Sequence, residues 1–250
     1  MIIRLNSLVV CLFMLVSLSA VGQIGVVIEC DNAKYMVGEA VMAKVTVDND
    51  VEVPLVFDKS YHNAELEVCA SRDRASARIP IIGSVDREIV IMPNESAIEL
   101  VDMNALVGFK FPGSYQVKAR VRYDGLLFTS KSKGIDIVRG VEVISRKQSL
   151  SGYPAERLVY SLRYIGRNKS ECAFLVVGNE SGTKSYGTIR LGPIVRVMRP
   201  TVKFDEDDRV VIVHQSGRKR FTRSVITVRH DGAEFVEQTH HKENGSPFRN

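Results

Sequence analysis

Residues 114–123, SYQVKARVRY, alternate without a break, with Tyr115, Val117, Ala119, Val121 and Tyr123 on one parity and Gln116, Lys118, Arg120 and Arg122 on the other. A period of two sends successive side chains to opposite faces of a strand, so one face of this segment packs and the other meets water. Such a strand needs hydrogen-bonded neighbours and a second layer over its apolar face. The first half of the chain supplies both. VMAKVTV places Val41, Ala43, Val45 and Val47 on one face, and IGVVIEC, VPLVF, AELEVCA, EIVIM, SAIELV and GIDIV are further strand candidates. Turn-rich stretches such as DNAKYMVGE, DND, MPNE and FPG separate them. That spacing predicts a β-sandwich over residues 23–139. Helix is expected only as a single turn near Asp102–Phe109, with Asp102 as its cap.

A linker is read at 140–156, followed by a second, smaller antiparallel β domain at 157–238 and a mobile polar tail at 239–250. RLVYSLRYI, ECAFLVV, SYGTIRL, IVRVM, TVKF, RVVIVH, FTRSVITV and AEFVEQ are its strands, broken by GRNKS, NESGTK, FDEDD, QSGRK and RHDG. Consecutive short strands with tight breaks predict a meander or small sandwich. The predicted class is therefore all-β throughout.

The chain starts with one cation, Arg4, before an apolar run from Leu8 to Leu18 and the small residues Ser19, Ala20 and Gly22. This is the pattern of a secretory signal peptide over residues 1–22. A secreted or periplasmic product with no transmembrane segment after its removal is expected. Charge divides unevenly: residues 24–139 hold 14 Lys+Arg against 17 Asp+Glu, and residues 140–250 hold 19 against 12. Any anionic partner is expected to meet the C-terminal half first. Cys30 and Cys69 fall in the same predicted domain and are a disulfide candidate in an oxidising compartment. Cys172 alternates with Phe174 and Val176 and reads as a small buried hydrophobe.

The Tyr35–Glu39 turn in NAKYMVGEAVMAKVTV, together with Pro112, Gly113 and Tyr115 in FKFPGSYQVKARVRY, resembles the exported bacterial immunoglobulin-like and macroglobulin-like domains. In those a Y-x-x-G-E turn leads an early strand and P-G-x-Y opens a late one. The resemblance implies a sandwich scaffold with Tyr115 in a tyrosine corner, and it raises proteinase inhibition as one function class. The sequence departs from antibody-type domains in having no Trp and no Cys near Tyr115. The second half resembles β-propeller blades of exported bacterial proteins, although it is long enough for only two.

The candidate site is the hairpin RVVIVHQSGRKRFTRSVITV. His214, Arg218, Lys219, Arg220 and Arg223 are the residues expected to grip sulfate, phosphate or carboxylate groups through charge-assisted bonds. A turn at Gly217-Arg218, or a four-residue loop 216–219, pairs His214 with Phe221 and Gln215 with Arg220. The alternative is an ordinary hairpin with a solvated tip. Asp205–Asp208 lack the glycine and distant Glu of an EF-hand and read as a turn, and His240 and His241 lack preorganised ligand spacing. GNESG misses the nucleophile-elbow spacing, and no phosphate loop or dinucleotide fingerprint occurs.

The expectation is an exported, non-enzymatic binding or envelope-associated module with no cofactor, no metal and no assigned catalytic residue. Its expected partner is a protein or an anionic polysaccharide or other envelope component. Nucleic acid ranks low because only Phe221 lies among the cations as a stacking platform. Proteinase inhibition and an enzyme with a dispersed site remain as alternatives.

Overall fold

The computed structural model describes residues 23–58, 62–72, 81–150, 153–242 and 245–246. The proposed leader, residues 1–22, lies outside them. Alternating sequence becomes strand almost everywhere else. The first unit runs β1 (Ile24–Cys30), β2 (Lys34–Met36), β3 (Met42–Asn49), β4 (Leu55–Phe57), β5 (Ala64–Arg72), β6 (Ile81–Ser84), β7 (Ile89–Ile91) and β8 (Glu95–Asp102). After α1 (Met103–Val107) come β9 (Gly113–Tyr123), β10 (Leu126–Thr129) and β11 (Lys133–Val138).

One sheet has the order β1-β3-β8; the other has β2-β11-β9-β5-β6, with β10 also on β9, and β4 and β7 pair separately. Their apolar parities meet in one core: Val41, Val45, Leu66, Val68, Val117, Ala119 and Val121 are all buried there. The alternation at 114–123 is thus satisfied on its inner face. Tyr115 donates from its hydroxyl to the Phe111 carbonyl oxygen at 2.8 Å, which is the expected tyrosine corner. Asp102 caps α1 by accepting from the Asn104 N–H, and Gly108 ends it in the left-handed region.

The second unit contains β12 (Val141–Leu150), β13 (Tyr153–Arg167), β14 (Ser170–Asn179) and β15 (Ser185–Pro193), then β16 (Thr201–Phe204), β17 (Val210–Gly217), β18 (Arg220–Arg229) and β19 (Gly232–Lys242). Each group of four is a sheet in chain order. Leu158, Leu162, Leu175 and Val177 from the first sheet pack on Val202, Ile212 and Ile226 from the second, so the two meanders lie face to face over a shared core.

Two boundaries read from the sequence are corrected. Residues 140–156 are not a linker, because β12 fills most of them and pairs with β13 from Val141↔Tyr164 onward. A register shift between Glu142 and Ile144 breaks the period of two there, which hid the strand. Residues 239–242 are likewise not tail. They continue β19 as far as the Arg220↔Lys242 pair, and the polar residues Gln238 and His240 leave no apolar alternation to reveal it.

Candidate functional site

The two units meet on the outer face of the β12–β15 sheet. Strand parity sends Leu162, Leu175 and Val177 inward and leaves Ile165, Arg167, Cys172 and Phe174 outward, where Met36 of the first unit packs on them. Arg167 then forms a two-pronged ion pair with Glu39, Nη1 to Oε1 at 2.9 Å and Nη2 to Oε2 at 2.6 Å. Both side chains are buried, at 5% and 9% exposure. Glu39 Oε2 also accepts from the Met36 N–H at 2.9 Å, and the guanidinium lies over the Tyr35 and Phe174 rings. The Y-x-x-G-E turn is therefore the plug of the joint. Gly38 sits at φ +81°, and a Cβ there would come 2.7 Å from Thr188 Oγ1, whose hydroxyl donates to the Val37 carbonyl oxygen at 2.8 Å.

Beside the joint a cleft of about 920 Å³ opens, with walls from both units. Lys110 and the exposed Phe111 come from the first unit, Arg139 from the crossing segment, and Arg163, Thr183, Ser185 and Thr188 from the second. No carboxylate is among its lining residues. Arg163 is held by the Arg139 carbonyl oxygen at 3.1 Å and by Glu142 at 3.0 Å, while its buried Nε has no partner. Arg139 also lines a second cavity of about 740 Å³ that contains Arg72 and Asp136. None of these cleft residues was singled out from sequence. The available signal was weak: Lys110 and Arg139 are lone cations at the ends of elements, and only the fold brings them to one place.

The five residues expected at the hairpin do not form one site. The turn is Arg218–Lys219, with Lys219 in the left-handed region at φ +60°. A register shift between Gln215 and Gly217 absorbs one residue, so Gln215 pairs with Phe221 and His214 with Thr222, in place of the expected partners. His214 shares the inward parity of Val210 and Ile212 and is 1% exposed, with Nε2 3.1 Å from the Pro193 carbonyl oxygen and a buried Nδ1 lacking a partner. Burial holds its pKa below the ordinary imidazole value, and the neighbouring His240 adds to this. A neutral, interior ring does not attract an external anion.

Arg220 shares the inner parity with Thr222, whereas Arg223 points outward and pairs with Glu237 at 3.6 Å. Of the five, only Arg218 and Lys219 are exposed. The inner row is a polar seam, in which Thr222 contacts His240 Nδ1 at 3.0 Å and donates to Ser216 at 2.8 Å, and Gln238 donates to Ser224.

Cys30 and Cys69 are free thiols, which removes the disulfide candidate. Cys30 continues the core-facing parity of β1, while Cys69 lies on the outward parity of β5, between Glu67 and Ser71. Burial pushes the Cys30 thiol up to about 11. Cys172 is buried and accepts from Arg190 Nε at 3.3 Å. Asp205–Asp208 form a turn, with Asp205 accepting from the Asp207 and Arg209 N–H groups and from Arg209 Nε.

No family model and no curated protein matches the chain. Among solved structures it is similar to a β-glucosidase from Listeria innocua in complex with laminaribiose, at 11% identity and TM-score 0.31, over 47% of this chain and 16% of that one. The alkylpurine DNA glycosylase AlkC of Pseudomonas fluorescens, bound to DNA containing an abasic site analog, gives 10% identity and TM-score 0.31, over 47% and 30%. Spo0M, a sporulation control protein of Bacillus subtilis, gives 10% identity and TM-score 0.31, over 89% and 91%. Likenesses of this size carry no argument about function. No helix among the described residues is long and apolar enough to cross a membrane.

Proposed function

We propose that this chain is an exported, non-enzymatic binding module, in which an immunoglobulin-like first unit and a β-meander second unit hold an acidic ligand in the cleft where they meet. One observation carries the reading: Lys110, Arg139 and Arg163 converge on the cleft with no carboxylate in its lining. Arg163 is already fixed by Glu142 and a backbone carbonyl, so its fork is ordered before a ligand arrives. Lys110 and Arg139 have no carboxylate partner among the described residues. The exposed ring of Phe111 and the hydroxyls of Thr183 and Ser185 suit the mixed apolar and hydroxyl surface of a uronate sugar.

The test is a fluorescence-anisotropy titration with a labelled short uronate oligosaccharide. Lys110→Gln with Arg139→Gln is expected to weaken binding about tenfold or more, each lost charge-assisted contact costing about 1–2 kcal/mol. Arg218→Gln with Lys219→Gln is expected to leave it unchanged. Equal affinity in the cleft variant and the parent chain would remove the cleft as the site.

A further inference from the structure

A second surface lies at the end of the second unit that carries the β17–β18 turn. The segment 194–200, whose IVRVM reads as a strand in the sequence, is instead a turn between Pro193 and Pro200 that joins β15 to β16 and exposes four side chains in succession, Arg196, Val197, Met198 and Arg199. Val197 is 78% exposed and Met198 54%. Isolated apolar residues on a surface are ordinary, but here two adjacent ones stand on a segment that is tied down. The Ile194 N–H donates to the Glu171 carbonyl oxygen at 2.9 Å, the Val195 N–H to the Gln215 carbonyl oxygen at 2.8 Å, and the Met198 N–H to Gln215 Oε1 at 3.3 Å. Arg196 grips Glu171 with two bonds of 2.6 and 2.7 Å. Gln215 also donates to the Gly217 carbonyl oxygen at 3.1 Å. One side chain thus fixes both this segment and the root of the β17–β18 turn, so the apolar pair and the Arg218–Lys219 tip share one end of the sheet.

Charge at this end is one-sided. Neither residues 193–204 nor residues 209–229 contain an Asp or Glu. Glu171 and Glu237, which reach in from neighbouring strands, are taken by Arg196 and Arg223. Arg199, Arg218 and Lys219 are exposed, and no carboxylate pairs with them among the described residues. The geometry points to an anionic phospholipid surface as the occupant: Val197 and Met198 enter the interfacial layer while Arg199, Arg218 and Lys219 face the headgroups. An acidic glycan or protein would use the cations alone. An exposed apolar pair with unpartnered cations at the same end of the sheet suits a medium that is negative outside and apolar a few ångströms deeper. This inference does not depend on the cleft.

The sequence contains no Trp, so Met198→Trp supplies a single reporter at the apex. The full chain carrying it is titrated with vesicles of phosphatidylglycerol and phosphatidylcholine, and with vesicles of phosphatidylcholine alone. A blue shift of emission with the anionic vesicles, absent with the neutral ones, is expected. In parallel sedimentation of the chain without the reporter, Arg218→Gln with Lys219→Gln is expected to lower partitioning about 25-fold, at about fivefold per cation near an anionic leaflet. Val197→Ser with Met198→Ser is expected to lower it about tenfold. Circular dichroism checks that each variant keeps its strand content. Partitioning unchanged in the apolar variant, or held through the leader alike in every variant, overturns the inference. So does an unshifted reporter in a chain that binds poly-glutamate, which would assign the end to an acidic protein partner.

Discussion

Arg167 and Arg218 are the same residue type in the same unit, yet they do opposite work. Arg167 is desolvated, gripped at both ends of its fork by Glu39 and sandwiched against two rings. Arg218 stands in water at a hairpin tip without a carboxylate partner among the described residues. A buried guanidinium persists only where its charge is met; the buried Nε of Arg167 has no partner, but with its fork held by Glu39 the group is enclosed and committed to structure. An exposed one contributes little to stability and keeps its donors for a partner. Partnering therefore separates the joint from the contact surfaces better than the density of basic residues does.

The largest effect that can break this comparison is at the joint. Arg167→Met leaves Glu39 buried without its cation, and a loss of about 3–5 kcal/mol is expected in urea unfolding. Adding Glu39→Gln removes the orphan charge while keeping an acceptor for the Met36 N–H. The double variant should therefore lose less than half as much as the single one. If both lose equally, the pair is not what holds the units together. Gly140→Ala comes next. Its φ is +65°, and a Cβ would fall 2.5 Å from Met36 Cε and 2.9 Å from the Tyr164 carbonyl oxygen. About 1–3 kcal/mol is expected, read from the same unfolding midpoint.

The polar seam inside the second unit gives a smaller, pH-dependent effect. Burial keeps the folded pKa of His214 below its ordinary value of 6.5, so acid protonates the unfolded chain first. Stability is unaffected well above pH 6.5, falls as pH drops below that value, and levels off beneath the folded pKa. Asp205 is shifted in the same direction, its pKa depressed from 3.8, so its contribution is lost in turn only in stronger acid. The urea midpoint measured between pH 7.5 and 5 should therefore decline in the parent chain, as ν for the unfolded state rises, and decline less in His214→Gln. A parallel decline would assign the acid sensitivity to other groups.

The sequence foretold these regions unequally, and for physical reasons. Strands whose inner face is wholly apolar were legible: β9 could be read residue by residue because Tyr115, Val117, Ala119 and Val121 never leave the core parity. The Asp102 cap and the Tyr115 corner were legible for the same reason, since each is a local pattern with a local cause. β12 was not, because its register shift interrupts the alternation, and the end of β19 was not, because its inward residues are polar. The hairpin site was misread by one residue. A bulge near Ser216 cannot be seen in an unbroken pattern, and it moved the partner of His214 from Phe221 to Thr222, whereas the inward parity shared by Val210, Ile212 and His214 was open to reading along β17. The cleft was illegible altogether, since Arg139 and Arg163 meet through the β12–β13 pairing and Lys110 joins them only across the joint where Glu39 meets Arg167, a contact spanning 128 positions.

The smallest expected effect is also the sharpest counterpart to the loss at Arg167. Arg218→Gln with Lys219→Gln removes two of the four cations expected at the hairpin site, yet it should change the stability by no more than about 0.5 kcal/mol, read from the unfolding midpoint. Both side chains are exposed, neither donates to a buried acceptor, and mutual repulsion at the tip offsets whatever they gain elsewhere. Lys219 occupies the left-handed region at φ +60°, a conformation that Gln adopts no less readily than Lys, so the turn is not the source of a difference. A loss of 2 kcal/mol or more would mean that the tip is partnered and structural like Arg167, and the distinction between the two arginines would fall with it.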